Sequence, residues 1–332
     1  MNSSAIKVSI IMLAYNIDKY VETAIKSIIQ QKTTYPIQLV IAEDCSTDNT
    51  LEICTRYKKL YPDTITLIKH KKNAGLQRNF MDAHQHCEGE YIAICDGDDY
   101  WINKNKLQRM TDFMDANSDF AVCFHRVINY YEENGSKSFS NGKQKQITNI
   151  VDLAKSNFIT NSSSLFRRSY YPEVPEWFSQ ISLCDYAMHM LNAQHGKIYY
   201  FKQPMAVYRK HSKGIWSEKG AEKRINSALY VRELLLHFFI NQEKTYNALR
   251  NAYLNIALGL IRYYHSVNNQ MMVIDTRKRI LQYYPEWSIE KIEEMEIQSK
   301  PNITKQLEHL LLTTLKLGRA LVSKLIPVPK IR

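Results

Sequence analysis

The six cysteines (Cys45, Cys54, Cys87, Cys95, Cys123 and Cys184) are too few and too scattered for a disulfide framework, and none forms a CxxC pair. Several lie in apolar, strand-like runs, so reduced and buried thiols are expected. The ten glycines build no GxGxxG after the first strand, and no GxxxxGK(S/T) occurs anywhere. Those absences set aside the dinucleotide-binding and P-loop folds. No GxSxG points to a serine hydrolase, and no His/Cys spacing suggests zinc. No C2H2 spacing, RNP-like motif or basic stripe with interleaved aromatics supports nucleic-acid binding. No uninterrupted apolar stretch reaches the roughly 18 residues of a membrane span. The first seven residues lead into a strand-like run without a cleavage region. A cytoplasmic location is therefore expected.

What is present is a globular composition, with 45% hydrophobic residues and no internal repeat. A length of 332 residues suffices for one large domain with an appendage, or for two domains. Forty-four basic residues against 33 acidic ones give a formal charge of +11, which favours anionic partners such as nucleotides or acidic lipid surfaces.

The most informative stretch is residues 91–101, YIAICDGDDYW. A short apolar run reads as a buried strand. It stops at Asp96, Asp98 and Asp99 around Gly97. Carboxylates crowded at a strand end repel one another and so invite a cation. Oxygen ligands on a short loop suit Mg²⁺ or Mn²⁺, ions that commonly bridge carboxylates to substrate phosphates. A solvated Asp/Gly turn is the plainer alternative.

Residues 8–14, 37–42, 65–68 and 91–95 are apolar runs, and residues 20–31, 50–61, 76–87 and 106–116 have helical spacing. This β-α-β-α order predicts a mostly parallel sheet covered by helices on both faces. In such sheets ligands bind beyond the carboxyl ends of the strands. The polar clusters fall there: Tyr15, Asn16 and Asp18 after the first strand, Glu43, Asp44, Ser46 and Asp48 after the second, and the Asp96–Asp99 turn after the fourth. Each alone could be a turn or a cap, and Ser46, Thr47 and Asp48 could simply cap the next helix. Three such clusters on one sheet face are harder to dismiss. Further on, residues 120–131 predict a strand, 132–146 a polar loop, 158–167 a strand and 182–194 a helix with Asp185 in its first turn. Residues 197–201 and 205–210 predict two short strands. From Ala221 onward the pattern is helical, broken near Pro285, Pro301 and Pro327. The expected division is a first domain of residues 1–220 and a helical region of residues 221–332.

Taken in order, these segments resemble family 2 glycosyltransferases, which have the GT-A fold. Residues 8–16 (VSIIMLAYN) resemble the family's opening strand, and residues 40–48 (VIAEDCSTD) its second strand and acidic turn. Residues 73–79 (NAGLQRN) resemble its glycine turn before the third helix, and residues 89–99 its DxD segment. The likeness covers roughly residues 6–216. It implies a mixed, mostly parallel Rossmann-like sheet followed by a helical C-terminal region. It also implies roles by position. Ala14, Tyr15, Asn16 and Asp18 would line the nucleotide-sugar pocket, Asp44 would contact the base, and Arg78 would lie near the nucleotide, where its fixed charge suits phosphate or base edges. Asp96 and Gly97 would sit near the ribose and Asp98 would hold Mn²⁺ or Mg²⁺, with Asp99 as an accessory or a cap.

Residues 183–188 (LCDYAM) resemble the segment holding the family's catalytic carboxylate, which makes Asp185 the expected base of an inverting transfer. The family often has Glu-Asp where this chain has Cys-Asp, and a helix-dipole partner is the plainer reading of Asp185. The residues after Tyr208 resemble a loop that closes over donor phosphates. There His211 would be a further metal or phosphate contact and Trp216 a stacking surface for a sugar; a structural histidine is the even alternative. The Gln-x-x-Arg-Trp motif of processive synthases is absent, which favours addition of one sugar. The implied function is transfer from a UDP-sugar to a glycan or lipid-linked acceptor of a cell-surface polysaccharide, at the inner face of the membrane. A nucleotidyl- or phosphotransferase would use the same carboxylates and metal, and a non-catalytic sugar- or nucleotide-binding partner of another transferase is the third reading. In the tail, Leu307, Leu311, Leu315, Val322, Leu325 and Ile326 share one helical face, with Lys305, Lys316, Arg319 and Lys324 opposite. Such a helix can lie on an anionic membrane or pack on protein, in its own domain or in a homodimer.

Overall fold

The computed structural model describes residues 5–170, 174–181, 184–212 and 220–298. Trp216 and the amphipathic tail lie outside the described residues. The chain divides into two compact units, Met1–Ser212 and Lys213–Arg332.

The first unit opens with β1 (Val8–Ala14), α1 (Asp18–Ile29), β2 (Ile37–Glu43), α2 (Thr50–Leu60), β3 (Ile65–Lys69), α3 (Leu76–Gln85) and β4 (Tyr91–Ile94). It continues through β5 (Tyr100–Trp101), α4 (Lys106–Ala116), β6 (Phe120–Tyr131), β7 (Lys137–Phe139), β8 (Ile147–Thr148) and α5 (Ile150–Lys155). It closes with β9 (Leu165–Arg167), α6 (Cys184–Ala193) and β10 (Lys197–Lys210). Among the described residues these strands form one sheet in the order β3-β2-β1-β4-β9-β6-β10-β5, with β7 on β6 and β8 on β10. Strands β3, β2, β1 and β4 are mutually parallel, and β9 runs antiparallel between β4 and β6. The expected mixed, mostly parallel sheet is therefore present.

The reason lies in the residues. β1, β2 and β4 are apolar along almost their whole length and buried on both faces, as a helix-covered parallel strand must be. α1 covers one face with Tyr20, Val21, Ala24, Ile25 and Ile28, spaced along one stripe. Burying each of its large aliphatic side chains contributes about 1.5–3 kcal/mol, so Ile25→Asp would break the contact. Gly89, just before β4, lets the chain run against β1: a Cβ there would stand 2.4 Å from the Ser9 nitrogen. The four buried thiols Cys54, Cys87, Cys95 and Cys123, with the half-buried Cys45, are all unbridged.

Strand order reverses at β1: β2 and β3 lie to one side and β4 to the other. The crevice beyond the carboxyl ends of β1 and β4 is thus the topological switch point, where ligands bind in open α/β sheets.

The structure departs from the sequence reading in the middle of the chain. Only Leu165–Arg167 of the expected strand 158–167 is extended; Asn161–Ser163 form a single 3-10 turn. The Ser163 hydroxyl donates to the Thr160 carbonyl and the Ser164 hydroxyl to the Asn161 carbonyl at 2.9 Å. Such local bonds compete with a ladder. The two short strands expected over 197–210 are one strand, β10, with register shifts on either side of Pro204, which has no N–H to give. The polar loop after β6 contains β7, which pairs back onto β6.

The second unit contains α7 (Ala221–Phe238), α8 (Glu243–Ser266), α9 (Gln270–Tyr283) and α10 (Ile289–Gln298) among its described residues. α8 buries Leu249, Tyr253, Leu260, Ile261 and Tyr264. Arg279 bonds to Glu233, and Arg277 to Glu293 and Glu296, tying three of the helices together. The Asn269 side chain caps α9 by accepting from Met272 N–H. Among the described residues no helix is long and apolar enough to cross a membrane.

Candidate active site

The loops after β1 and β2 are laced together. Asn16 adopts φ +52° and its N–H donates to Ser46 Oγ at 3.1 Å, while its Oδ1 accepts from Thr47 N–H at 2.8 Å. Asp48 accepts from Thr50 N–H at 2.9 Å and from Asp18 N–H at 3.1 Å, so its carboxylate serves both helix starts, as the plainer capping reading held. Ala14 is buried, and its carbonyl accepts from Asp44 N–H at 3.0 Å. Tyr15 stands open to solvent with 43% of its surface exposed, the right situation for a ring that meets a ligand rather than the core.

Asp44 is buried, and both its oxygens accept backbone bonds, from Ala74 N–H at 2.7 Å and Gly75 N–H at 3.0 Å. Gly75 holds φ +84°, which a side chain would oppose. The acidic turn and the glycine turn are therefore one unit. Arg78 projects outward from α3, its side chain 62% exposed and paired with Asp82 at 2.9 Å.

The turn after β4 gathers three carboxylates, Asp96, Asp98 and Asp99. Gly97 N–H donates to the Leu13 carbonyl at 3.1 Å, pinning the turn to β1. Asp96 Oδ2 accepts from Asn161 Nδ2 at 3.0 Å. Asp98 Oδ2 lies 3.1 Å from His211 Nε2. Asp99 is buried; its Oδ1 accepts from Arg209 N–H at 2.9 Å, and its Oδ2 has no partner among the described residues. Asp185, in the first turn of α6, accepts weakly from Asn157 Nδ2 at 3.4 Å.

These carboxylates feel one another. Burial, then the charge of Asp98, pushes Asp96 up to about 7, and Asp185 adds to the effect against the Asn161 bond. Burial, then Asp98 and Asp96, raises Asp99 well above the carboxylate range. Burial raises Asp185, against the opposing bond from Tyr186 N–H. The Tyr208 phenol is raised by burial and then by Asp99, Asp98, Asp185 and Asp96 together. Four carboxylates around one crevice cannot all ionise cheaply, and a bound cation would reverse that balance.

The donor set fits one divalent ion. Two ligands each about 2.1 Å from an octahedral ion, at right angles, stand about 3 Å apart, and the observed Asp98–His211 separation is 3.1 Å. Among the described residues no group of three such side chains surrounds a common point. Asp98 and His211 would be the two donors of such an ion, with substrate oxygens and water completing the shell, as is usual for Mg²⁺.

Asn157 and Asn161 escaped the sequence reading as site residues, and Arg209 entered it only within the loop-like segment 208–217. Arg209 alone carried a signal: it stands two residues before His211. Trp216 lies outside the described residues.

A mixed α/β sheet with an acidic crevice at its switch point is the GT-A architecture. The family model for glycosyl transferase family 2 matches residues 9–174, half of the chain, and the chain belongs to that family. An uncharacterized Mycobacterium tuberculosis protein is 33% identical over 218 residues; the match covers 65% of this chain and 62% of that protein, so the chain spans less than two thirds of this relative. Among solved structures, S. aureus TarS 1–349 in complex with UDP-GlcNAc matches with a TM-score of 0.57 and 17% identity, covering 85% of this chain and 92% of that one. The mannosyltransferase PcManGT from Pyrobaculum calidifontis, in complex with GDP-Man and Mn²⁺, matches with a TM-score of 0.55 and 14% identity, covering 95% and 89%. At such identities the two structures speak for the fold.

Proposed function

We propose that this chain transfers one sugar from a nucleoside-diphosphate sugar, a UDP-sugar first, to a hydroxyl of a surface glycan or its lipid-linked precursor, with inversion. The carrying observation is the Asp98–His211 pair, 3.1 Å apart, in the acidic turn at the switch point of the sheet, with Asp185 near enough to raise the Asp96 carboxyl. Ala14, Tyr15, Asn16, Asp18 and Asp44 would hold the base, with Arg78 at the rim. Asp96 and Gly97 would meet the ribose. Asp98 and His211 would hold the divalent ion, which, when bound, neutralises charge on the departing diphosphate.

The step balances simply. The acceptor oxygen bonds to the anomeric carbon from the face opposite the diphosphate. The bond from that carbon to the diphosphate oxygen breaks, and the leaving group takes the electron pair. Asp185 takes the hydroxyl proton. Its burial keeps it a better base than a solvated aspartate, because a raised pKa strengthens proton affinity. TarS in complex with UDP-GlcNAc, and PcManGT in complex with GDP-Man and Mn²⁺, support the donor class and the ion.

A donor screen with Mn²⁺ tests this reading. Release of UDP or GDP from one sugar nucleotide is expected. Release of pyrophosphate, or UDP binding with no turnover of any donor and acceptor pair, would overturn it.

A further inference from the structure

Arg209 lies near the end of β10, and His211 follows the strand's last residue, Lys210, two positions on. Both meet the same ring. The His211 imidazole stands 4.8 Å from the Tyr20 ring, centroid to centroid, and the Arg209 guanidinium lies 4.8 Å from it. Tyr100 closes on Arg209 from β5 at 4.9 Å. Tyr20 itself is held. Its hydroxyl donates to Glu132, which also pairs with Lys19, and Glu132 N–H donates to the Lys210 carbonyl at 2.9 Å. The bonds from Lys19 and Tyr20 lower the Glu132 carboxyl, so it stays charged; burial, then that carboxylate, raises the Tyr20 phenol, so it stays a donor. A charge-assisted bond of this kind is stronger than a neutral one and fixes the ring.

Tyr20 sits in the first turn of α1 with Asp18, directly after the loop that carries Tyr15 and Asn16. Arg209, for its part, donates to the Asp98 carbonyl at 3.3 Å, and its N–H bonds Asp99. The ring therefore joins the loop after β1 to the Asp98–His211 pair. An imidazole that is to ligate must be aimed, and groups behind a ligand do the aiming. We propose that Tyr20, tethered by Glu132, is a positioning residue that holds His211 and Arg209 in register with Asp98, so that the affinity of the site for a divalent ion with UDP depends on this platform. The proposal rests on the function proposed above.

The test is calorimetric titration of UDP into the full chain at increasing Mn²⁺, with thermal melting alongside. Tyr20→Leu removes the platform, and the Mn²⁺ needed for half-maximal UDP affinity should rise about tenfold, the usual effect of losing a group behind a metal ligand. Tyr20→Phe keeps the ring without its tether and should fall between Leu and wild type. Transfer at saturating Mn²⁺ should change far less than the Mn²⁺ requirement. A merely structural role would lower the melting temperature and leave that requirement unmoved, which would overturn the proposal. Should Tyr20→Leu fail to fold, Glu132→Gln carries the test with the ring intact: a raised Mn²⁺ requirement supports the platform and an unchanged one refutes it. Wild-type UDP binding that ignores Mn²⁺ would overturn the proposed function and the platform together. Mn²⁺-dependent wild type with unaltered variants would overturn the platform alone.

Discussion

Lys106 is a buried cation in the first unit, and its replacement should stabilise the protein. It is fully buried, and its ammonium has no hydrogen-bond partner among the described residues. Its Nζ lies 3.7 Å from the Trp101 ring centroid. It is also the first residue of α4, where the helix dipole disfavours a cation. Burial pulls its pKa down to about 7, against smaller opposing effects of Cys95 and Cys123. From about 10.4 in the unfolded chain, a drop to about 7 costs the folded state about 4 kcal/mol at neutral pH. A desolvated cation–π contact with Trp101 opposes this by about 2 kcal/mol. Lys106→Met keeps the volume and removes the charge, so a gain of about 1–4 kcal/mol is expected at pH 7. The sign with pH follows from linkage. Between the folded and unfolded pKa values the unfolded chain binds the extra proton, so wild-type stability rises with pH. The advantage of Lys106→Met should therefore shrink by about 2 kcal/mol from pH 7 to pH 9. Urea denaturation of both proteins at the two pH values measures it, with fluorescence of Trp101 and its neighbours as one probe. A variant less stable than wild type at pH 7, with a difference that ignores pH, would refute the reasoning.

Three further outcomes are expected. Asp98→Asn removes the carboxylate of the Asp98–His211 pair and should weaken Mn²⁺-dependent UDP binding; calorimetry showing unchanged affinity would sink the metal assignment. Asp185→Asn should leave UDP binding nearly intact and lower transfer by roughly 10²-fold or more, and in the wild type kcat/KM should fall as pH drops through a pKa that burial holds above the ordinary aspartate value; transfer near wild type in the variant would mean that another group takes the proton. Gly89→Ala would bring a Cβ to 2.4 Å from Ser9 N and 2.7 Å from the Val8 carbonyl carbon, both backbone, and should cost about 1–3 kcal/mol; an unshifted melting temperature would show that β1 and β4 can part without loss.

Much of the sheet was legible because its signals are local. β1, β2 and β4 are apolar on both faces, and the helices between them carry one apolar stripe each, so runs of neighbouring residues suffice to read them. β5 has two residues and β9 three, too few for any period to show. The 3-10 turn at Asn161–Ser163 reads as a strand until its serine bonds are seen. Lys106 reads as an ordinary helix lysine, because nothing in residues 106–116 says that the first turn of α4 is buried against Trp101.

The same division runs through the site. Asp44 is fixed by backbone N–H groups of the glycine turn, and both turns announce themselves by residue type. The half around Asp98 is built otherwise. Asn161 reaches Asp96 across 65 residues, Arg209 reaches Asp99 across 110, and His211 reaches Asp98 across 113. Such pairs form only because β9 and β10 insert beside β4 and β6, an order that no local pattern encodes. The Asp44 end of the crevice is thus held by two turns, and the Asp98 end by contacts between residues 65 to 113 positions apart. Side chains on the ends of different strands are the parts that a charge can rearrange. A divalent ion at Asp98 and His211 would favour the ionised forms of Asp96 and Asp99, whose pKa values burial and neighbouring carboxylates now raise, and would leave the turn at Asp44 as it stands.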